Sequence, residues 1–170
     1  RSTIEVAHAG DFSQTEVADL GSMGEKYPLR ILVADDNPMI RKLIAQYLDT
    51  LGYKPDVVDG GRPAAEMGSA YDLVIIDLRM PGIDGPTAAT MIREASGVED
   101  VPWIIGVSAT LAESEIQNAL DSGINEFLGK PFFAENLAEK ISWIPWIEEV
   151  NQFADRAPEV AVAKPEPVEE

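Results

Sequence analysis

The sequence predicts an α/β fold in which five strands alternate with five helices to form a doubly wound parallel sheet. Short apolar runs alternate along the chain with longer segments whose apolar residues recur at helical spacing. Two of the runs, 73–77 and 103–108, are almost continuously apolar, as strands covered on both faces are. Turn residues such as Gly52 and Gly123 end the segments between them. This regular alternation is typical of a parallel sheet with helices on both faces.

The first apolar run is LRILVADD, and the predicted strands after it are shorter. The second run is brief, the third ends in aspartate, the fourth contains WIIGVS, and the fifth is EFLG. The predicted strands cover residues 29–36, 54–58, 73–77, 103–108 and 126–129. The predicted helices between and after them cover residues 38–51, 63–69, 86–95, 111–121 and 133–144.

The first predicted helix carries the clearest signals. Asn37 can cap its N-terminus, Pro38 suits its first turn, and Gly52 ends it. Its apolar residues recur at i, i+3, i+4, i+7, i+8 and i+11, which predicts one inward stripe of Ile40, Leu43, Ile44, Tyr47, Leu48 and Leu51. The inward residues predicted for the last two helices are Ile116, Ala119 and Leu120, and Leu137, Ile141 and Ile144.

Polar residues stand at the C-terminal ends of four predicted strands. Asp35 and Asp36 end the first strand and Asp77 ends the third, while Ser108 and Lys130 end the fourth and fifth. In parallel α/β sheets the ligand-binding crevice lies at these ends. Three carboxylates meeting there would repel one another strongly unless a divalent cation lay among them. The set predicts a magnesium-dependent, phosphoryl-accepting site.

Composition excludes several classes of protein. The chain has 170 residues and a net charge of −17, and so acidic a chain is a poor nucleic-acid binder because counterion release needs a basic face. It has no cysteine, which excludes disulfides and thiolate metal sites and fits a cytoplasmic location. No stretch approaches the about 20 apolar residues of a membrane span, and no signal-peptide pattern opens the sequence. No membrane contact is expected.

Composition also changes along the chain. Residues 1–28 mix small and polar residues without periodicity, which predicts a linker or N-terminal extension. Residues 148–170 include APEVAVAKPEPVEE, with three prolines and four glutamates, which predicts a disordered acidic tail. The folded domain is therefore predicted to be 29–147.

Four motifs of the chain resemble those of a known family. They are ILVADDNP, DLVIIDLRMPGIDG, GVSA and FLGKP, in that order. Over residues 29–146 the chain resembles the receiver domain of two-component response regulators, and its DDNP motif is similar to receivers of hybrid histidine kinases. The resemblance implies a flavodoxin-like (βα)5 sheet of strand order 2-1-3-4-5, with the site over strands 1 and 3. It also implies a partner that carries the phosphoryl group on histidine.

The resemblance implies a role for each acidic residue. Asp77 corresponds to the phosphoacceptor, whose carboxylate would attack phosphorus held on a partner's histidine. Asp36 corresponds to a direct Mg²⁺ ligand, and Asp35 to the acid that holds the ion mainly through water. The backbone carbonyl of Arg79 corresponds to a further metal ligand.

The resemblance also implies how the domain responds to phosphorylation. Lys130 would pair with Asp77 and then with a phosphoryl oxygen, and a cis peptide is expected before Pro131. Ser108 corresponds to the hydroxyl that hydrogen-bonds the phosphate, and Phe127 to the aromatic residue that turns inward with it. Phe127 lacks the hydroxyl of tyrosine, so no hydrogen bond can hold it outward. Such a chain is not an enzyme on other substrates, although it would catalyse its own phosphorylation and dephosphorylation.

Two other functional classes fit the sequence poorly. A haloacid-dehalogenase-like phosphatase would need Asp-x-Asp at its nucleophile, whereas Leu78 and Arg79 follow Asp77. A flavodoxin-type cofactor binder would need a phosphate-binding glycine loop after the first strand, and none is present. A receiver-like module that is never phosphorylated would be expected to lack some site residues.

The surroundings of the domain leave two architectures. No effector domain fits within the 24 residues after Trp146, so the chain is either a stand-alone response regulator or a piece of a hybrid histidine kinase. The linker-like ends favour the hybrid kinase, whose partners would be a histidine kinase or a histidine phosphotransfer protein.

An apolar cluster around Pro145 raises the possibility of a homodimer. Trp143, Ile144, Trp146 and Ile147 cannot all point inward from one helix, because consecutive residues point about 100° apart. Some of them are therefore expected either to fold back onto the domain or to be exposed for association with a neighbour.

Overall fold

The structure, a computed structural model, describes residues 21–97 and 101–147. Its five strands form one parallel sheet of order β2-β1-β3-β4-β5, as expected. The strands are β1 Ile31–Ala34, β2 Asp56–Val58, β3 Leu73–Asp77, β4 Trp103–Ser108 and β5 Glu126–Gly129. The described helices are α1 Met23–Lys26, α2 Pro38–Thr50, α3 Gly61–Met67, α4 Gly85–Ser96, α5 Glu113–Asp121 and α6 Ala134–Ser142.

The sheet separates two apolar cores, because alternate residues of each strand point to opposite faces. Ile31 and Val33 of β1 pack with α1, α2 and α6, while Leu32 and Ala34 pack with α3, α4 and α5. The central strands β3 and β4 are buried along their whole length. This coverage of both faces explains why their sequences are almost continuously apolar.

Side-chain signals placed most helix starts correctly. The Asn37 side chain accepts hydrogen bonds from the backbone N–H groups of Met39 and Ile40 and caps α2, and Asp84 caps α4 through the N–H of Thr87. Three helices differ from expectation by two residues. Helix α3 is Gly61–Met67 rather than 63–69, α5 begins at Glu113 rather than at residue 111, and α6 ends at Ser142 rather than at residue 144.

Two residues expected to face the core are exposed. Leu43 is 39% exposed and Leu120 is 45% exposed. Ala119 is fully buried, and its neighbour Leu120 therefore points away from the sheet. On α2 the sheet contact is made by Ile44 and Leu48, and Leu43 lies at the margin of that stripe. The helical period predicted from the sequence is correct, but the apolar stripe on each of these helices is wider than the face that is buried.

The cluster around Pro145 folds back onto the domain in part. Ile144 and Ile147 are buried in the core that contains α2 and α6, whereas Trp143 and Trp146 are half-buried. The cluster is thus divided between core and surface.

The segment before β1 packs against the domain from residue 23 onward. Met23 is buried in the same core, and the N–H of Gly24 donates to the carbonyl of Leu51. The hydroxyl of Tyr53 donates to the carbonyl of Tyr27. Residues 1–20 and 148–170, which include most of the predicted linker and the whole predicted tail, lie outside the described residues. Within the described ranges, no helix is long and apolar enough to cross a membrane.

Candidate functional site

The predicted site residues converge at the C-terminal edge of the sheet. Asp35 follows β1, Asp77 ends β3, Ser108 ends β4, and Lys130 follows β5. Because β3 lies between β1 and β4 and all strands are parallel, their ends meet on one edge. The N–H of Lys130 donates to the carbonyl of Ser108 over 2.8 Å, which joins the last two of these strand ends.

Three carboxylates form the centre of the site. Asp35, Asp36 and Asp77 each offer an oxygen, and these oxygens lie within 4.8 Å of one another. Asp35 and Asp77 are buried, whereas Asp36 is exposed. One oxygen of Asp35 accepts the N–H of Asn37, and its other oxygen, Oδ2, is buried and accepts no hydrogen bond from the described residues.

This donor set fits a divalent cation. Hard oxygen ligands are the kind that Mg²⁺ prefers, and the exposed side of the cluster leaves space for its water ligands. The buried Oδ2 atom of Asp35 needs a cationic or hydrogen-bonding partner that the described side chains supply only through Lys130.

Lys130 faces two of the three acids. Its Nζ atom lies 3.5 Å from Oδ2 of Asp35 and 3.6 Å from Oδ2 of Asp77. The peptide bond between Lys130 and Pro131 is cis, as expected from the resemblance. The single positive charge offsets part of the repulsion among the carboxylates.

Opposing effects set the pKa of Asp77. Burial raises the pKa of this carboxyl, and the charges of Asp35 and Asp36 raise it further. The N–H of Arg79, which donates to Oδ1 over 3.2 Å, and the ammonium of Lys130 act in the lowering direction. The raising effects win, so the metal-free site favours the protonated acid more than an exposed aspartate would.

Ser108 is buried and is engaged with its own loop. Its Oγ donates to the carbonyl of Thr110 over 2.7 Å and accepts the N–H of Thr110 over 3.3 Å. Phe127 on β5 is half-buried and packs against the core that contains α4 and α5. Both residues thus lie on the β4 and β5 side of the site.

The sequence prediction missed the side chain of Arg79. Its Nε donates to Oε2 of Glu115 on α5 over 3.0 Å, and its Nη2 donates to Oγ1 of Thr110 over 3.3 Å. An arginine after an aspartate and an acid in the first turn of a helix are individually ordinary surface residues. Their separation of 36 residues left no sequence signal for the pair.

Comparison with known proteins agrees with this geometry. A family model described as the response regulator receiver domain matches residues 31–142. The matched range contains every residue of the predicted site.

The curated relatives include a histidine protein kinase and a sensor protein. Histidine protein kinase 1 of Candida albicans is 32% identical over 127 residues, which cover 68% of this chain and 5% of that protein. Sensor protein GacS of Pseudomonas syringae is 34% identical over 128 residues, which cover 73% of this chain and 14% of that protein. The chain therefore spans only a small part of the length of these relatives.

A solved structure shows the same fold with an ion in place. The receiver domain of the sensor histidine kinase PA1611 of Pseudomonas aeruginosa is 32% identical, has a TM-score of 0.62, and has a magnesium ion in its active-site cleft. The match covers 68% of this chain and 97% of that one. From the matched family model, the shared sheet order and the acidic cluster at the sheet edge, it follows that this chain belongs to the response regulator receiver domain family.

Proposed function

We propose that Asp77 accepts a phosphoryl group from a phosphohistidine and that this chain is the receiver of a hybrid histidine kinase. The observation that carries the proposal is the position of Asp77, a buried carboxylate within 4.8 Å of two further acids and 3.6 Å from Lys130. A structural aspartate at the end of a buried strand would not need so unfavourable a set of neighbours.

The proposed reaction is one phosphoryl transfer. A carboxylate oxygen of Asp77 attacks phosphorus, a P–O bond forms, and the P–N bond to the donor's imidazole breaks, leaving an acyl phosphate. Before the transfer, the Lys130 ammonium pairs with the free carboxylate of Asp77. After the transfer, it would pair with an oxygen of the bound phosphoryl group. The burial of Asp77 strengthens that interaction by lowering the local dielectric.

The same residues would hold the cofactor. Asp36, Asp77 and the backbone carbonyl of Arg79 would supply direct oxygen ligands to Mg²⁺, and Asp35 would act mainly through water. When bound, the cation offsets the negative charge that two anionic reactants bring together. The magnesium ion in the PA1611 receiver supports this proposal.

The proposed response to phosphorylation lies in Ser108 and Phe127. Ser108 would turn its hydroxyl from Thr110 to a phosphoryl oxygen, and Phe127 would move further into the space beside it. Ser108 ends β4 and Phe127 lies on the neighbouring strand β5, so a change at Asp77 could reach the surface near β5 through them.

The proposed donor is a histidine kinase or a histidine phosphotransfer protein. An apolar groove of about 350 Å³ lies beside Lys130 and is lined by Ile40, Leu43, Ile44, Tyr47, Pro131, Phe132 and Phe133. Met39 and Phe133 are exposed next to it, and both are large apolar residues. A partner that places its phosphohistidine over Asp77 would cover this groove.

Hybrid signal transduction histidine kinase H of Dictyostelium discoideum, which is 32% identical over 129 residues, supports the proposed parent protein. In such a parent the kinase activity would reside elsewhere and the receiver would work in the cytoplasm. The alternative is a stand-alone response regulator. The transcriptional regulatory protein ResD of Bacillus subtilis is 33% identical over 112 residues, so receivers outside kinases are also similar to this chain. The receiver itself would act only on its own phosphorylation and dephosphorylation.

Labelling tests the phosphoacceptor directly. Incubation with Mg²⁺ and acetyl phosphate or a phosphorylated histidine kinase should add one phosphoryl group, measured by intact-protein mass spectrometry, and hydroxylamine should remove it. Asp77→Asn should abolish labelling, whereas Asp84→Asn should retain it, because Asp84 is a helix cap that asparagine can replace. Normal labelling of Asp77→Asn would contradict the assignment.

A further inference from the structure

The side chain of Arg79 joins three segments around the site. It extends from the loop after β3, its Nε lies 3.0 Å from Oε2 of Glu115 on α5, and its Nη2 lies 3.3 Å from Oγ1 of Thr110 in the β4–α5 loop. Its backbone N–H bonds to Asp77 at the same time. One residue therefore contacts the phosphoacceptor, the loop that carries Ser108 and the helix that follows this loop.

The ion pair is asymmetric in exposure. The side chain of Arg79 is 70% exposed, whereas that of Glu115 is only 18% exposed. The second carboxylate oxygen of Glu115 is buried and accepts no hydrogen bond from the described residues. Loss of the arginine contact would leave a mostly buried carboxylate with less compensation, so the pair restrains α5 more than a fully exposed pair would.

Thr110 connects this pair to Ser108. The hydroxyl of Ser108 has one proton, and it donates that proton to the carbonyl of Thr110 over 2.7 Å. Ser108 therefore cannot donate to a phosphoryl oxygen on Asp77 while it keeps this hydrogen bond. Whatever fixes the position of Thr110 also determines whether the Ser108 hydroxyl is available.

We propose that the Arg79 side chain is a positioning residue that stabilises the resting state of the switch. By holding Glu115 and Thr110, it keeps the β4–α5 loop in the arrangement that occupies the Ser108 hydroxyl. Phosphorylation of Asp77 has to displace these contacts before Ser108 can reach the phosphate. This role rests on the proposed function of Asp77 and adds a specific restraint to it.

The expected effect is a shift of population rather than a loss of chemistry. Breaking a partly exposed ion pair should raise the population of the active state about two- to fivefold. The apparent affinity for beryllofluoride, which mimics the phosphoryl group, should rise by the same factor if the active state is the one that binds it.

The experiment compares Glu115→Ala, Arg79→Gln and the double variant with the wild type. Amide NMR signals of Thr110 and Phe127 are followed in Mg²⁺-loaded protein during beryllofluoride titration. Glu115→Ala leaves the charge of Arg79 in place, which separates the restraint from electrostatic attraction of the anion. Glu113→Ala is the matched control, since Glu113 is an exposed acid in the same first turn of α5.

Three results would support the proposal together. Both single variants should start closer to the beryllofluoride-bound signals and reach their midpoint at two- to fivefold lower concentration. The double variant should equal Arg79→Gln, because loss of the arginine already removes the contacts with both Glu115 and Thr110. Glu113→Ala should match the wild type.

Other results overturn it. If the wild type responds to beryllofluoride and Glu115→Ala and Arg79→Gln respond in the same way, the role of Arg79 is contradicted but the assignment of Asp77 is not. The same conclusion follows if Glu113→Ala has as large an effect as Glu115→Ala. A wild type whose signals do not respond to beryllofluoride at all would contradict the assignment of Asp77 and the role of Arg79 together.

Discussion

At the scale of single residues, the site shows a conflict between stability and function. Asp35, Asp36 and Asp77 are brought together although their charges repel, and Lys130 supplies one positive charge within reach of two of them. Burial and the neighbouring acids raise the pKa of Asp77. The ionised carboxylate therefore costs stability in the metal-free folded state, and the proposed role of Asp77 as a nucleophile would account for this cost.

This conflict predicts that Asp77→Asn stabilises the metal-free protein at neutral pH. A carboxyl whose pKa is raised on folding favours the folded state below its unfolded pKa and loses that contribution as the pH rises. Asparagine has no such loss and can still accept the N–H of Arg79. Urea unfolding in EDTA at pH 7.5 should give a higher midpoint for the variant, and the difference should shrink toward pH 4.5.

Asp84→Asn is the control for that comparison, since Asp84 lies outside the carboxylate cluster. Its midpoint should follow the wild type at both pH values. A metal-free Asp77→Asn protein less stable than the wild type at pH 7.5 would show that the carboxylate contributes more through its contacts with Lys130 and Arg79 than its burial costs.

At the scale of secondary-structure elements, close packing of α4 fixes the backbone at the end of β3, where Asp77 lies. A Cβ atom at Gly85, the first residue of α4, would lie 2.6 Å from the carbonyl oxygen of Asp77 and 2.8 Å from Cα of Leu78. These are backbone atoms, so a rotamer change cannot relieve the overlap. The glycine allows the helix to begin directly against the end of β3.

We therefore predict that Gly85→Ala destabilises the fold and disturbs the site. The overlap should lower the free energy of unfolding by about 1–3 kcal/mol, which outweighs the up to about 1 kcal/mol that alanine gains over glycine in a helix. Phosphorylation of Asp77 should slow as well. Gly60→Ala is the matched control, because its Cβ would meet only Pro63 at 4.0 Å, and equal stability of both variants would contradict the packing argument.

The groove beside α2 predicts a separation between two kinds of phosphodonor. Phe133→Ser should slow phosphorylation by a histidine kinase or phosphotransfer protein about fivefold or more, as expected for loss of a large apolar contact. The same variant should react normally with acetyl phosphate, which is too small to need the groove. Leu120→Ser, which changes another exposed apolar residue on α5, should leave both rates unchanged. Equal slowing with both donors would instead indicate damage to the site.

At the scale of the whole molecule, the two sides of the sheet contain different helices and different surface features. One core joins α2 and α6 and carries the groove beside Lys130, and the other joins α3, α4 and α5 and contains the contacts of Phe127. The proposed donor groove and the proposed response to phosphorylation would thus lie on different parts of one domain. The sheet edge, where both meet, is where Asp77 lies.

We predict that beryllofluoride changes the surface near Trp143 and Trp146. Both are half-buried, and the nearby Ile144 and Ile147 anchor the segment in the core. A rearrangement of Ser108 and Phe127 should alter either self-association, seen by analytical ultracentrifugation, or acrylamide quenching of these tryptophans. A monomer with unchanged sedimentation and equally shielded tryptophans in both states would contradict the coupling.

The sequence by itself determined the fold class, the strands and the composition of the carboxylate cluster. This was possible because each conclusion depends on local pattern: apolar runs mark buried strands, and residues at the ends of parallel strands must meet at one edge. Asp35, Asp77, Ser108 and Lys130 could be placed in one site for that reason.

The tertiary structure alone decided which apolar residues reach the core and which charges pair. Leu43 and Leu120 follow the helical period but are exposed, because the width of the buried face depends on what packs against each helix. Arg79 and Glu115 are 36 residues apart and meet only because β4 lies beside β3, which brings α5 to the loop after Asp77. The local spacing of residues contains no information about such a pair, since the order of the strands in the sheet determines which residues meet.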